Sequence, residues 1–134
     1  RLPESSDFVN PLELENTEFA EPGVYHRGGN DYDVIMTAQM WSFTPATITV
    51  PEGAVVTFYM TSRDITHGYM IEHHNVNIQV VPGHIARTKI LFDRPGEYQM
   101  QCHEFCGRGH HLMHGVINVV EAEEADGIAL NNEE

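Results

Sequence analysis

A chain of 134 residues with 41% hydrophobic residues is about one domain with one core, and its formal net charge is −13. The charge is uneven, because residues 34–120 carry six acids against five bases, a net of −1, and the acidity therefore belongs to the two flanks. Phosphate binding needs a basic face, which excludes nucleic acid as a partner, and without a run near the roughly 18 apolar residues of a membrane helix this stretch is expected to be soluble as it stands.

Residues 1–31 are rich in Glu, Pro, Asn and Gly and show no sustained period. They are expected to be irregular or draped over the domain. The pattern changes at "YDVIMTAQM", which alternates from Tyr32 and sets Val34, Met36, Ala38 and Met40 on one face. "ATITV" reads as the next strand, and "AVVTFYMTS" alternates in the same way with Val56, Phe58 and Met60. "GYMIE", "VNIQVV", "ARTKILF", "EYQMQ" and "GVINVV" follow, punctuated by Pro-Gly turns at "VPGH" and "RPGE". Short strands spaced by turns predict an all-β sandwich over residues 32–120, and residues 121–134 read as an acidic tail.

The strand reading also places the chemistry. "EYQMQ" leaves the "RPG" turn and climbs about 3.3 Å per residue, so Cys102 emerges roughly 17 Å away at the opposite end of the sandwich. Tyr98, Met100 and Cys102 share one parity, so a core-facing Tyr98 and Met100 point Cys102 inward. Following the antiparallel zigzag backwards puts His73 and His74 at the far end and His67, in "RDITHGY", beside the cysteine loop. His84 reaches the same end and is a reserve candidate. His26, His103, His111 and His114 are read as surface or neighbouring side chains.

The loop "QCHEFCGRGHHLMHG" holds both cysteines of the chain. Four arrangements compete for it. A Cys102–Cys106 disulfide would close a very short loop and leave His110 and Met113 unexplained. A Cys2His2 zinc site of Cys102, Cys106, His110 and His67 leaves Met113 idle. A one-copper site of His67, one cysteine, His110 and axial Met113 leaves an oxidisable thiol to spare. Two coppers bridged by both thiolates use every residue, each metal taking both sulfurs and one histidine, with Met113 and a backbone carbonyl as weak outer ligands.

The string Cys102-x-Glu104-x-Cys106-Gly107-x-x-His110-x-x-Met113, with "DITHGY" upstream, resembles the copper A signature of subunit II of haem-copper cytochrome c oxidases, most closely the B-type oxidases. The resemblance runs from "YDVIMTAQM" through "GVINVV". It implies a cupredoxin-like Greek-key sandwich with His67 and His110 as imidazole ligands, Cys102 and Cys106 as bridges, Met113 as axial ligand and Glu104 as donor of a backbone carbonyl. It implies two copper ions in a mixed-valence centre, a membrane anchor upstream, and a place on the periplasmic or extracellular face of the cytoplasmic membrane. Electrons would arrive from a cytochrome c or a small copper protein and pass to haem in subunit I, where oxygen is reduced. The Glu104 carboxylate would contact magnesium at the subunit I boundary. The family's electron-entry tryptophan aligns nearer Gln39 than Trp41, which leaves Trp41 as a candidate entry point by position alone. A nitrous oxide reductase domain and a copper storage or delivery protein are the alternatives.

Overall fold

Two β-sheets face each other across one apolar core in the computed structural model, which describes residues 8–122. The strands among the described residues are β1 (Gly23–His26), β2 (Asp31–Gln39), β3 (Ser42–Thr44), β4 (Thr47–Pro51), β5 (Ala54–Ser62), β6 (His67–Ile71), β7 (Asn77–Val80), β8 (Ala86–Phe92), β9 (Gly96–Gln101) and β10 (His114–Val120). One sheet runs β1-β2-β5-β8, with β3 also on β2, and the other runs β4-β10-β9-β6-β7. The β2–β5 and β4–β10 pairs are parallel and the remaining ladders antiparallel. The inner faces meet through Val34, Met36, Val56, Phe58, Met60, Tyr69, Met100 and Ile117, all buried. The all-β expectation and the eight expected strands correspond to β2 and β4–β10.

The N-terminal segment differs from the expectation in one respect and extends it in another. It contains the strand β1, which a four-residue stretch of half-buried side chains did not betray, because its order comes from pairing with β2. It also contains two short 3-10 turns, Leu14–Asn16 and Glu18–Ala20, that bury Leu14 and Phe19 with Ile35 and Ile85 in a second apolar cluster. This cluster lies on the other parity of β2, so Tyr32 to Ala38 are buried on both faces and the period of two is masked. Residues 1–7 and the tail beyond 122 lie outside the described residues.

Met40 departs from its expected place on the core face. β2 ends at Gln39, the chain turns at Met40 and Trp41 into β3, and Met40 is exposed with its amide donating to the Asp64 carboxylate at 2.7 Å. The β9–β10 hairpin carries the cysteine loop, residues 102–113, and the Cys102 amide donating to the Met113 carbonyl at 3.1 Å closes its neck. β6 pairs with β9 through Met70↔Gln101 and Ile71↔Met100, which brings the start of β6, and with it His67, against that neck. At the other end His74 packs against Phe92 and Tyr98 beside the "RPG" turn, as the zigzag requires.

Candidate metal centre

Both cysteines are free, and their sulfurs lie 3.6 Å apart, well beyond the roughly 2.05 Å of a disulfide. Cys102 enters the loop from the core face of β9, and the Gly68 amide on β6 points at its sulfur from 3.4 Å. The absence of a side chain at Gly68 leaves room for the His103 ring, which a Cβ there would meet at 2.7 Å. His103 is thereby engaged as a packing group, with Nε2 at 3.1 Å from the Ile78 carbonyl. The Cys102 thiol also faces the Glu104 carbonyl oxygen at 3.0 Å.

His67, Cys102 and Cys106 offer ligand atoms within 4.8 Å of one another, and all three are buried. His67 is fully buried and its Nδ1 has no hydrogen-bond partner, whereas its Nε2 lies 2.8 Å from Asp64 Oδ1. A buried imidazole nitrogen left without a partner costs about 1–3 kcal/mol unless something else meets it, and two thiols do not meet that need as well as a metal ion does. His110 joins from the Cys106 side, its Nδ1 3.5 Å from Cys106 Sγ, and Met113 Sδ lies 3.7 Å from the same sulfur. Two thiols, two imidazoles, a thioether and a carbonyl are a donor set that suits soft-metal binding and fits copper.

The surroundings orient these donors. Asp64 accepts from the Met40 and Ile65 amides as well as from His67. Burial alone would raise the Asp64 carboxyl, but these hydrogen bonds outweigh it and hold it below its ordinary range. Burial first, and then the Cys102 hydrogen bond, push the metal-free Cys106 thiol up to about 12. Metal binding would therefore displace a tightly held proton. Trp41, half exposed at the β2–β3 turn, donates its indole N–H to the Cys106 carbonyl at 2.9 Å.

The remaining expectations divide. The Glu104 side chain turns away from the sulfurs, with Oε1 3.5 Å from Gln79 Nε2. His84 is exposed against Phe8, His26 stacks on Tyr32, and His111 and His114 are exposed. Sequence reasoning missed Asp64 and the contact of Trp41 with the loop. Asp64 was legible in "RDITH", where a carboxylate precedes the histidine by three residues, whereas the Trp41 contact joins residues 65 positions apart.

A two-sheet β-sandwich that gathers thiols, imidazoles and a thioether in one end loop is a cupredoxin-like metal-binding domain, the class this fold and site define. A family model described as "Cytochrome C oxidase subunit II, periplasmic domain" matches residues 32–120, and the chain belongs to that family. It is 40% identical over 105 residues to cytochrome c oxidase subunit 2 of Thermus thermophilus, covering 77% of this chain and 78% of the relative. A second Thermus thermophilus form of that subunit matches equally over 105 residues, but there the chain spans 62% of the relative's length. A haem-copper terminal oxidase dimer solved by cryo-electron microscopy matches at 38% identity and TM-score 0.70, over 74% of this chain and 71% of that one. The periplasmic domain of cytochrome oxidase subunit II from Bradyrhizobium japonicum shares the fold at 21% identity, with TM-score 0.68 over 80% and 96% of the two chains.

Membership of this family carries copper as the metal, electron transfer as the task and subunit I of a haem-copper oxidase as the partner. The nitrous oxide reductase and copper-storage alternatives are not favoured. No helix of the described residues is long and apolar enough to cross a membrane.

Proposed function

We propose that this domain holds two copper ions between the Cys102 and Cys106 thiolates, with His67 and His110 as imidazole ligands, Met113 and the Glu104 carbonyl as weak ligands, and passes single electrons from a soluble donor to haem in subunit I. The observation that carries this reading is the pair of free, buried sulfurs 3.6 Å apart, with one histidine nitrogen left unpartnered beside them and another 3.5 Å from Cys106. A copper pair sharing one odd electron changes its bonding little on reduction, which keeps the reorganisation cost of transfer low.

The protein's share of that task is to hold the donors still. Asp64 fixes the His67 ring by its Nε2, which turns Nδ1 to the sulfurs. The Cys102–Met113 backbone bond holds the loop ends together, and burial of Cys102, Cys106 and Met113 keeps water away from the sulfurs. Around this end Met40, Trp41, Ile65, Phe105 and Leu112 are exposed. With a nearly neutral body, a cytochrome c or small copper protein would dock on these apolar side chains more than on charge, with Trp41 as the electron entry. The Glu104 carboxylate, turned outward, would contact magnesium at the subunit I boundary. The parent protein would be anchored with this domain on the periplasmic or extracellular face of the cytoplasmic membrane.

Copper analysis and electron paramagnetic resonance of the loaded chain test the reading. Two coppers per chain with the unpaired electron spread over both are expected, and Cys102→Ser should leave one copper at most with no sharing. One copper per wild-type chain, or zinc bound in preference to copper, overturns it.

A further inference from the structure

The β2–β3 turn, Met40 and Trp41, touches both of the segments that supply donors to the site. On one side the Met40 amide donates to Asp64 Oδ2 at 2.7 Å, while Asp64 Oδ1 holds His67 at 2.8 Å. On the other side the Trp41 indole N–H donates to the Cys106 carbonyl at 2.9 Å. The indole also lies flat on the loop that follows Cys106. A Cβ on Gly107 would meet Trp41 Nε1 at 3.2 Å, and one on Gly109 would run into the ring itself. Gly107 has a φ of +114°, a backbone state that glycine adopts without strain, so the loop is shaped to lie under the ring.

We propose that Trp41 is a positioning residue of the metal centre, whose indole clamps the Cys106–Gly109 backbone and thereby sets where the Cys106 sulfur sits relative to Cys102. Backbone bonds within the loop, Cys102 to Met113, His110 to Gly107 and Leu112 to Gly109, fix its neck and its later turn, and the indole adds a hold on the Cys106 peptide from outside the loop. Its one short helical turn, His110–Leu112, has no side-chain cap at its start, and Phe105 and Leu112 on either side of the clamp point to solvent. The indole replaces solvent over the Cys106 peptide with an aromatic face and one directed donor, whose positive end stabilises the electron-rich state of the adjoining sulfur. Because 39% of Trp41 remains exposed, the clamp is also the place where a docked molecule would reach the site.

The potential arm of the test rests on the copper reading, and the thiol arm does not. In the metal-free 134-residue chain, Trp41→Phe keeps a ring over the glycines and removes the donor. Alkylation of Cys106 by iodoacetamide, resolved from Cys102 by fragment mass spectrometry, should then quicken about two- to tenfold, the loss of one hydrogen bond, while Cys102 changes less. In the copper-loaded chain the same variant should keep full copper occupancy, show an altered hyperfine pattern and have a lower reduction potential. Gly109→Ala, which displaces the ring without touching the indole donor chemically, should move both readouts in the same direction. His73→Ala, at the far end, should move neither. If Trp41→Phe leaves Cys106 alkylation and the reduction potential at their wild-type values, Trp41 is a packing residue and the clamp is refuted. Failure of the wild-type chain to load a copper pair overturns the proposed function instead, and the alkylation rates then decide the clamp alone.

Discussion

Each end of the sandwich carries histidines close to aromatic and apolar side chains, and among the described residues one end gathers a histidine with two cysteines within 4.8 Å. At the far end His74 places Nδ1 2.9 Å from the Glu72 carbonyl and packs tilted against Phe92 and edge-on to Tyr98, while His73 is exposed against Tyr98. Those rings serve as packing faces, with solvent to meet any nitrogen left over. At the site end His67 has one nitrogen held by Asp64 and the other buried and unpartnered, facing two thiols. What marks a ligand is an imidazole nitrogen that folding has removed from water and left unsatisfied, beside other donors in the same condition. Adjacency of histidines in the sequence, which "HHN" and "GHHL" share, does not distinguish the two ends.

The sharpest break of that contrast is to exchange the roles of the two ends by mutation. His67→Ala should cost more copper affinity than the roughly 10–100-fold typical of an outer partner and should collapse the shared-electron spectrum, whereas His73→Ala should leave it unchanged. Equal effects from the two variants, read by copper titration and electron paramagnetic resonance, would refute the strand order that separates them. Next in size is Asp64→Asn, which keeps the shape and removes the charge that fixes His67. A loss of about 10–100-fold in copper affinity is expected, measured by competition with a chelator, and an unchanged affinity would mean that burial alone orients the ring.

Met113→Leu is expected to act more gently. On the proposed two-copper reading the thioether would be a weak ligand inside a buried, apolar setting, so both coppers should stay bound while the reduction potential moves. Loss of one copper in this variant, seen by metal analysis, would make Met113 a structural ligand. The smallest effect is expected from Glu104→Gln, because the carbonyl that faces Cys102 belongs to the backbone and survives the change. The isolated chain should keep its copper spectrum, and the assembled oxidase should bind manganese, as a probe for magnesium, more weakly. Loss of copper from the isolated variant would show that the side chain matters to the centre.

The strand periods, the turn residues and the spacing of Cys102, Cys106, His110 and Met113 were legible in the chain because each depends on near neighbours. A strand's two faces, a hairpin's turn and a loop's donors are all separated by a few residues. The end-to-end alternation of strands went further and placed His67 beside the loop, since antiparallel connections leave few choices of direction. Met40 was misplaced by the same logic, because alternation continues in the letters after the backbone has turned, and the turn is held by the distant Asp64 carboxylate. β1 was invisible because its order comes from β2, not from its own pattern.

The composition and local patterns of this sequence were thus enough to give the all-β class and the end of the sandwich at which His67 meets the cysteine loop. Only the tertiary structure decided which nitrogen of His67 is buried without a partner, that Trp41 closes on the Cys106 carbonyl, and that the N-terminal segment seals the outer face of β2. The physical reason is the same in each case. Hydrogen-bond satisfaction and burial are set by groups that meet across the fold, often tens of residues apart, and no periodicity along the chain records them.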